Sequence, residues 1–267
     1  MKIAVSGKGG VGKTLIAGGL AYSFARRGLR TIAIDADPSP NLGLTFGLRP
    51  EETRQIVPIS ENRGLIESKT NTGYSGILRL LFTVEDIAKD YSVKTPLGVD
   101  LIVMGTVRSM GSGCTCGANA VVRSLLRHLI VERDEFVVLD MEAGVEHIGR
   151  GTAKHVDAMI IVTDANMKAL EIAKHIHELS AGADIKKTYL VGNKIENDDQ
   201  KRTIKEFADR NNLTILDLLP FDRTVIDSEI RGETPLANSK SEAVHIIQEI
   251  GQKIAATRDA PPSRDDA

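Results

Sequence analysis

An eight-residue motif close to the amino terminus, Gly7-Lys8-Gly9-Gly10-Val11-Gly12-Lys13-Thr14, constrains the fold of this chain most strongly. It matches G-x-x-x-x-G-K-[ST] and lies between a strand pattern at 2–6 and a helix pattern at 13–27, the context in which the motif forms a P-loop. Glycines let backbone N–H groups approach phosphates, and the helix amino terminus adds positive charge. We expect Gly9, Gly10, Val11, Gly12, Lys13 and Thr14 to bind the phosphates of a nucleoside triphosphate. Lys13 would neutralise the β- and γ-phosphates, and the Thr14 hydroxyl would bind Mg²⁺.

The remaining pattern predicts an α/β fold in which helices flank a mostly parallel sheet, because short apolar runs alternate with longer helical periodicities. The predicted strands are 2–6, 31–35, 100–104, 136–140, 158–163, 188–193 and 214–219, and the predicted helices are 13–27, 118–131, 167–180, 201–210 and 241–255. Gly28 should end the first helix. Gly18 and Gly19 lie inside that helix, and we expect close packing on the sheet to explain them. No linker divides the chain, so 1–256 should form one P-loop domain and 257–267 a disordered polar tail. The segment 50–94 has no pattern from which we can predict its secondary structure.

The composition bears on the possible binding partners of the protein and on its cellular compartment. The 267 residues carry 34 basic and 36 acidic side chains, a net charge of −2, with no Trp and four Tyr, so nothing predicts nucleic-acid binding. No window approaches the roughly 20 apolar residues of a membrane span. The amino terminus also lacks the apolar stretch and cleavage site of a signal peptide. These observations predict a cytoplasmic protein without a membrane partner.

Acidic residues end two of the predicted strands. Asp35 and Asp37 follow the second strand beside the P-loop, and ligands of parallel sheets bind at the carboxyl ends of strands. Asp140 ends the apolar run 136–140, so we expect it to hold Mg²⁺ directly or through water. Capping of neighbouring turns is the alternative role for these carboxylates.

A later strand ends in Asn193-Lys194-Ile195-Glu196, which bears on the identity of the base. The pattern N-K-x-D is the guanine signature, but Glu196 stands at the acidic position. Its side chain is one methylene too long for the usual two-hydrogen-bond clamp on guanine. We therefore expect ATP.

Lys8, at the second position of the motif, resembles the deviant Walker A group, which includes nitrogenase iron protein, the MinD and ParA positioning ATPases and the arsenite-pump ATPase. The resemblance implies a homodimer in which Lys8 reaches the partner's nucleotide and supports catalysis. It also implies that Asp37 orients the attacking water and that the segment 141–144 senses the γ-phosphate through a glycine amide. Asn193 and the adjacent Lys194 would contact the adenine, and the backbone of Pro220, Phe221 and Asp222 would run along the adenine edge.

The two cysteines of the chain, Cys114 and Cys116, flank Thr115 in a glycine-containing loop. A disulfide at this spacing is strained. Two thiolates cannot complete a tetrahedral metal site, but a two-fold dimer would supply four. Sulfur ligands suit Zn²⁺, an Fe–S cluster or a four-sulfur Ni²⁺ site. Two incidental thiols are the alternative.

The P-loop with Lys8, the Asp37-Pro38 pair, the C-x-C loop and the segment 140–147 occur in the order found in the carbon monoxide dehydrogenase accessory protein (CooC) family, which this chain resembles over about residues 1–255. Nitrogenase iron protein has widely spaced cysteines, and the Fe–S carrier ATPases have C-x-x-C nearer the carboxyl end. The resemblance implies an ATPase that helps insert nickel into carbon monoxide dehydrogenase, with Cys114 and Cys116 binding Zn²⁺ or Ni²⁺ across the dimer. His147 is a further candidate near this metal.

Two other functions remain open at this point. One is an ATP-gated Fe–S protein that transfers electrons or carries a cluster, as in nitrogenase iron protein. The other is a positioning ATPase like MinD, which would need a basic amphipathic helix at the carboxyl terminus. The tail that begins at Thr257 is polar and contains Pro261 and Pro262, so it does not favour that function.

Overall fold

A computed structural model describes residues 1–62, 64, 91–105, 135–142, 156–183, 185 and 187–259. The predicted helix at 118–131, the cysteine pair at 114 and 116, Gly144 and His147 lie outside these residues.

The strands of the described part form one eight-stranded sheet. They are β1 (Lys2–Gly7), β2 (Arg30–Ala36), β3 (Val93–Lys94), β4 (Asp100–Val103), β5 (Glu135–Met141), β6 (Ala158–Thr163), β7 (Lys187–Ile195) and β8 (Thr214–Pro220). The helices are α1 (Lys13–Ala25), α2 (Leu42–Thr45), α3 (Pro50–Gln55), α4 (Met167–Gly182), α5 (Asp198–Arg210), α6 (Arg223–Ile230) and α7 (Glu242–Asp259), with 3₁₀ turns at Ile59–Glu61 and Pro235–Ala237.

The order of the strands is β3-β4-β2-β5-β1-β6-β7-β8, and every neighbouring pair is parallel except β3 with β4. The predicted α/β fold with a mostly parallel sheet is therefore confirmed. β5 and β6 are buried throughout, as expected of parallel strands that helices cover on both faces. In this register Val5 of β1 and Asp35 of β2 both lie opposite Asp140 of β5, so the carboxyl ends of the three strands coincide.

The helices enclose two hydrophobic cores, one on each face of the sheet. On one face, Ile16, Leu20 and Phe24 of α1 pack with residues of α7, and the Phe24 ring stacks on Phe136 with centroids 4.3 Å apart. On the other face, residues of α4 and α5 cover the sheet. Within the described ranges, none of the helices is long and apolar enough to cross a membrane.

Gly18 and Gly19 allow α1 to pack against neighbouring helical segments, whereas we expected them to pack on the sheet. A Cβ atom on Gly19 would lie 2.6 Å from Cγ2 of Ile247 in α7, and one on Gly18 would lie 2.8 Å from Cγ2 of Thr45 in α2. The sheet expectation was wrong because these two glycines project to the α7 and α2 side of the helix. The sequence pattern of α1 alone does not show which neighbour lies there.

Several boundaries differ from the sequence prediction. α1 ends at Ala25, and Gly28 follows with φ of 75°, its N–H donating to the Ala25 carbonyl. The last helix continues to Asp259, into the segment that we expected to be a disordered tail. The short elements α2, α3, β3 and α6 were not predicted, since none extends beyond eight residues and periodicity is weak at that length.

Replacing Gly19 with alanine should destabilise the protein by about 1–2 kcal/mol, because overpacking against the β-branched Ile247 exceeds the gain in helix propensity. Gly182, at the end of α4, provides the matched control, since a Cβ atom added there would meet no other atom within 4 Å. Its replacement by alanine should leave stability unchanged or raise it by up to about 1 kcal/mol. Urea denaturation of both variants measures the difference, and equal effects would contradict the packing argument.

Candidate functional site

A cleft of about 400 Å³ opens at the carboxyl edge of the sheet, beside the P-loop. The residues predicted from sequence that line it are Gly9, Gly10, Gly12, Lys13, Thr14, Asp37, Asn193, Lys194, Pro220, Phe221 and Asp222. The structure therefore brings together predicted phosphate, catalytic and base-contacting residues from separate parts of the chain. Sequence reasoning missed other lining residues, which are Leu15, Asn41, Thr45, Val225, Ile226, Glu229 and Ala243. Most of these lie in or beside α2 and α6, the short helices that periodicity did not reveal.

The P-loop backbone depends on glycine at two of its positions. Gly10 and Gly12 have φ of 83° and 95°, a region that favours glycine. A Cβ atom at Gly12 would also collide with the side-chain amide of Asn193. Lys13, at the start of α1, is buried and donates from Nζ to the Lys8 carbonyl over 3.3 Å.

Lys13 lies among acidic side chains. Burial lowers its pKa, while the charges of Asp140, Asp37 and Glu142 raise it. The carboxylates near Lys13 therefore favour its charged form, which is the form that binds anionic phosphates.

Asp140 lies beneath the P-loop and is 1% exposed. Burial raises its pKa from 3.8 to about 7, against the opposing effect of a hydrogen bond with the Thr14 side chain. Its Oδ1 atom has no hydrogen-bond partner among the residues that the structure describes. A buried carboxylate oxygen without a partner, beside a threonine hydroxyl, offers the hard oxygen ligands that Mg²⁺ prefers.

The protein supplies only part of such a magnesium site. Within the described ranges, no group of three or more His, Cys, Asp or Glu side chains could hold a metal ion. Mg²⁺ usually keeps several waters and binds through one or two protein ligands together with substrate phosphates. Thr14 and Asp140 fit that pattern, in which the remaining ligands come from a nucleotide and from water.

The two aspartates after β2 have different environments. Asp35 is fully buried, and its carboxylate accepts hydrogen bonds from the N–H groups of Asp37 (3.1 Å) and Leu42 (2.8 Å). Burial raises its pKa, and the backbone hydrogen bonds lower it, with a net increase. Asp37 is half-buried, lines the cleft and accepts from the Ser39 N–H over 2.8 Å. Asp35 thus holds the loop that presents Asp37 to the cleft, a positioning role that its sequence position did not reveal.

Asn193 and Lys194, which the sequence predicts to contact the base, donate hydrogen bonds to the P-loop. Nδ2 of Asn193 donates to the Val11 carbonyl and Nζ of Lys194 donates to the Gly10 carbonyl, each over 2.8 Å. Glu196 is exposed and is not among the cleft-lining residues.

Asp222, predicted to lie along the adenine edge, lines the cleft and caps two helices. One carboxylate oxygen accepts from the Thr224 N–H and hydroxyl at the start of α6, over 2.8 and 2.7 Å. The other accepts from the Ser241 hydroxyl and the Ala243 N–H at the start of α7, over 2.7 and 3.1 Å. Burial alone would raise its pKa, but these hydrogen bonds hold the pKa below its ordinary value. The side chain therefore shapes the cleft, while the adjacent Phe221 backbone is fixed by donating to the Ile195 carbonyl over 2.9 Å.

Lys8 is half-buried and is not among the residues that line the cleft of its own chain. Its backbone carbonyl accepts from Lys13, but the described contacts do not direct its side chain into the cleft.

Residues 2–236 match the model of the CobQ/CobB/MinD/ParA nucleotide-binding domain. The chain is 40% identical to an uncharacterised ATP-binding protein of Methanocaldococcus jannaschii, with 90% of this chain and 93% of that protein covered. It is also 40% identical to the carbon monoxide dehydrogenase accessory protein CooC of Rhodospirillum rubrum, with 84% and 85% covered. Among solved structures, MinD of Pyrococcus horikoshii with Mg-ADP superposes with a TM-score of 0.70 over 96% of this chain and 98% of that one. At 16% identity, this last similarity shows the fold alone.

Replacing Asp140 with asparagine should stabilise the protein in the absence of Mg²⁺, by about 1–3 kcal/mol at pH 8, because it removes a buried charge. A raised pKa in the folded state means that the stability contributed by the protonated carboxyl is lost as pH rises. The advantage of asparagine should therefore grow between about pH 4 and pH 7 and then level off. Thermal denaturation across this range measures the effect.

The same variant should lose the stabilisation that Mg²⁺ with nucleotide gives the parent, since a metal ligand is missing. If the variant is instead less stable than the parent at pH 8 without Mg²⁺, Asp140 has a structural partner and the magnesium assignment fails.

Proposed function

Because the chain belongs to the CobQ/CobB/MinD/ParA nucleotide-binding family and is a homologue of CooC, we propose that it is an ATP-dependent metallochaperone. In this proposal the protein hydrolyses ATP, dimerises on ATP or metal binding and assists nickel insertion into carbon monoxide dehydrogenase. The observation that carries the ATPase is the buried Asp140 oxygen without a partner in the described structure, placed beside Thr14 and Lys13 under a P-loop. The support for the client is the 40% identity to CooC.

The proposed hydrolysis uses these side chains in separate roles. Lys13 leaves the Lys8 carbonyl and neutralises the β- and γ-phosphates. Thr14 and Asp140 would hold Mg²⁺, and the ion would supply charge that neutralises the phosphates. Asp37 is held at the cleft by the loop that Asp35 fixes, and there it orients the attacking water. Electrostatic stabilisation and positioning account for most catalysis of phosphoryl transfer, so no covalent residue is required.

A dimer completes both the proposed ATPase and the proposed metal site. Lys8 does not line its own cleft, so in the proposal it acts on the nucleotide of the partner subunit. Cys114 and Cys116 lie outside the described residues, and their role is supported by the C-x-C spacing and by the relationship to CooC. Two copies would place four thiolates around one Zn²⁺ or Ni²⁺ as cargo, and ATP-driven closure would control its binding and release.

Replacing Lys8 with alanine should leave ATP affinity within about threefold of the parent but remove most hydrolysis and the ATP-dependent dimer, because this lysine acts across the interface. Replacing Lys13 with alanine should instead abolish ATP binding, because the β- and γ-phosphates lose their charge partner. Sedimentation with a non-hydrolysable ATP analogue, together with equilibrium binding, separates the two effects. An unchanged dimer fraction in the Lys8 variant would refute its role in the partner's site.

Metal binding should have a stoichiometry of one Zn²⁺ or Ni²⁺ per dimer, because each chain supplies only two thiolates. Binding should weaken at acid pH, since thiolates must lose protons. Metal should promote dimerisation, and ATP-driven dimerisation should raise metal affinity by the same factor, because metal binding and dimerisation are linked reciprocally. Anaerobic equilibrium dialysis beside sedimentation tests this, with Cys114→Ser and Cys116→Ser as variants that retain ATP binding.

Other outcomes of that titration point to other functions. One tightly bound metal per monomer, or binding that survives both substitutions, would remove the shared thiolate site and make His147 the next ligand to test. A brown protein that carries iron and sulfide would favour the ATP-gated Fe–S alternative instead.

A further inference from the structure

Three carbonyl groups of the P-loop are bound by side-chain donors. The Lys8 carbonyl accepts from Lys13, which starts the next helix. The other two carbonyls, of Gly10 and Val11, accept from Lys194 and Asn193, which lie more than 180 residues away in sequence at the end of β7. We call Asn193 and Lys194, with these two hydrogen bonds, the P-loop brace.

The brace is built into the fold at several points. Asn193 is 4% exposed, and its Oδ1 atom accepts from the Lys194 N–H over 2.9 Å, so its amide is held in one orientation. Lys194 has φ of 60°, unusual for a residue with a side chain, and this turn directs its ammonium group to the P-loop. Gly12 has no Cβ atom, which leaves room for the Asn193 amide. A strand end that was exposed to solvent would need none of these three features.

The two hydrogen bonds of the P-loop brace affect how the loop can bind phosphate. A P-loop binds anions because its N–H groups point inward, and a peptide that rotates by half a turn replaces an N–H with a carbonyl oxygen that repels phosphate. Glycine permits such rotation more readily than any other residue, and three of the four residues 9–12 are glycines. Donors on the Gly10 and Val11 carbonyls oppose the rotation and keep both oxygens directed at Lys194 and Asn193.

We propose that Asn193 and Lys194 are positioning residues that preorganise the P-loop for phosphates, in addition to any contact that they make with the base. This inference rests on the proposed nucleotide binding but assigns these residues a role that base recognition does not require. It predicts that their loss weakens binding of a ligand that has phosphates and no base. Residues that only recognise adenine would leave such a ligand unaffected.

Inorganic tripolyphosphate with Mg²⁺ is the probe that separates the two roles. In Lys194→Met, which retains most of the side-chain volume without the donor, the Kd of tripolyphosphate should rise about fivefold, the change expected from one lost hydrogen bond. The Kd of ATP should rise by a similar factor. Lys194→Arg, which keeps a donor at the same place, should restore much of both affinities. Isothermal titration calorimetry on the full-length protein measures each value.

Two further variants separate this effect from a general loss of charge or of structure. Lys205→Met removes an exposed lysine on α5 that is not among the residues lining the cleft, and should leave both affinities unchanged. Asn193→Ala should weaken tripolyphosphate binding further than Lys194→Met does, because the Val11 carbonyl is bound by the more deeply buried of the two donors. Thermal unfolding of each variant shows whether the fold is retained.

Each outcome decides the proposal. A Lys194→Met variant that binds ATP more weakly but tripolyphosphate normally would overturn the brace and leave base or ribose recognition as the role of Lys194. Normal binding of both ligands would overturn it as well. Failure of the parent to bind ATP would reject the proposed function itself, so the two failures can be told apart.

Discussion

Parallel pairing of β1, β2 and β5 is the constraint on which the site depends. The register places Asp140 between Val5 and Asp35, so two buried carboxylates lie at the carboxyl ends of neighbouring strands, and Asp140 is on the strand next to the one that leads into the P-loop. Backbone hydrogen bonds hold the two aspartates on neighbouring strands, and both side chains are buried. Burial, with a smaller contribution from the charge of Asp35, raises the pKa of Asp140 to about 7.

The two buried carboxylates lower the free energy of unfolding, but they provide an oxygen that a cation can bind. Burying carboxylates is unfavourable unless cations or donors satisfy them. Asp35 is satisfied by backbone N–H groups, and its bonds shape the loop that carries Asp37. Asp140 retains an oxygen without a partner in the described structure, which leaves it available to a cation. The apolar cores on both faces of the sheet supply the stability that allows such a site to persist.

The hydrogen bonds from β7 to the P-loop connect the two ends of the cleft. One end of the cleft is the P-loop, whose glycines adopt the needed backbone angles but resist rotation poorly. The other end is built on a strand and two helix termini that Asp222 caps with four hydrogen bonds. Hydrogen bonds from Asn193 and Lys194 at the end of the strand thereby restrain the glycine-rich loop. A lone P-loop peptide would lack this restraint.

The sequence by itself determined the fold class, the phosphate loop and the strand-end acids, because these follow from short local patterns. A strand, a glycine loop and a helix must be contiguous, and apolar runs that end in acid mark strand ends. The tertiary structure alone decided that Asn193 and Lys194 contact the P-loop, since those bonds join residues more than 180 positions apart. It also decided that Gly19 faces Ile247 of α7 and that Asp35 supports the loop while Asp37 enters the cleft. Local periodicity specifies what an element is, whereas only packing specifies which distant element lies against each of its faces.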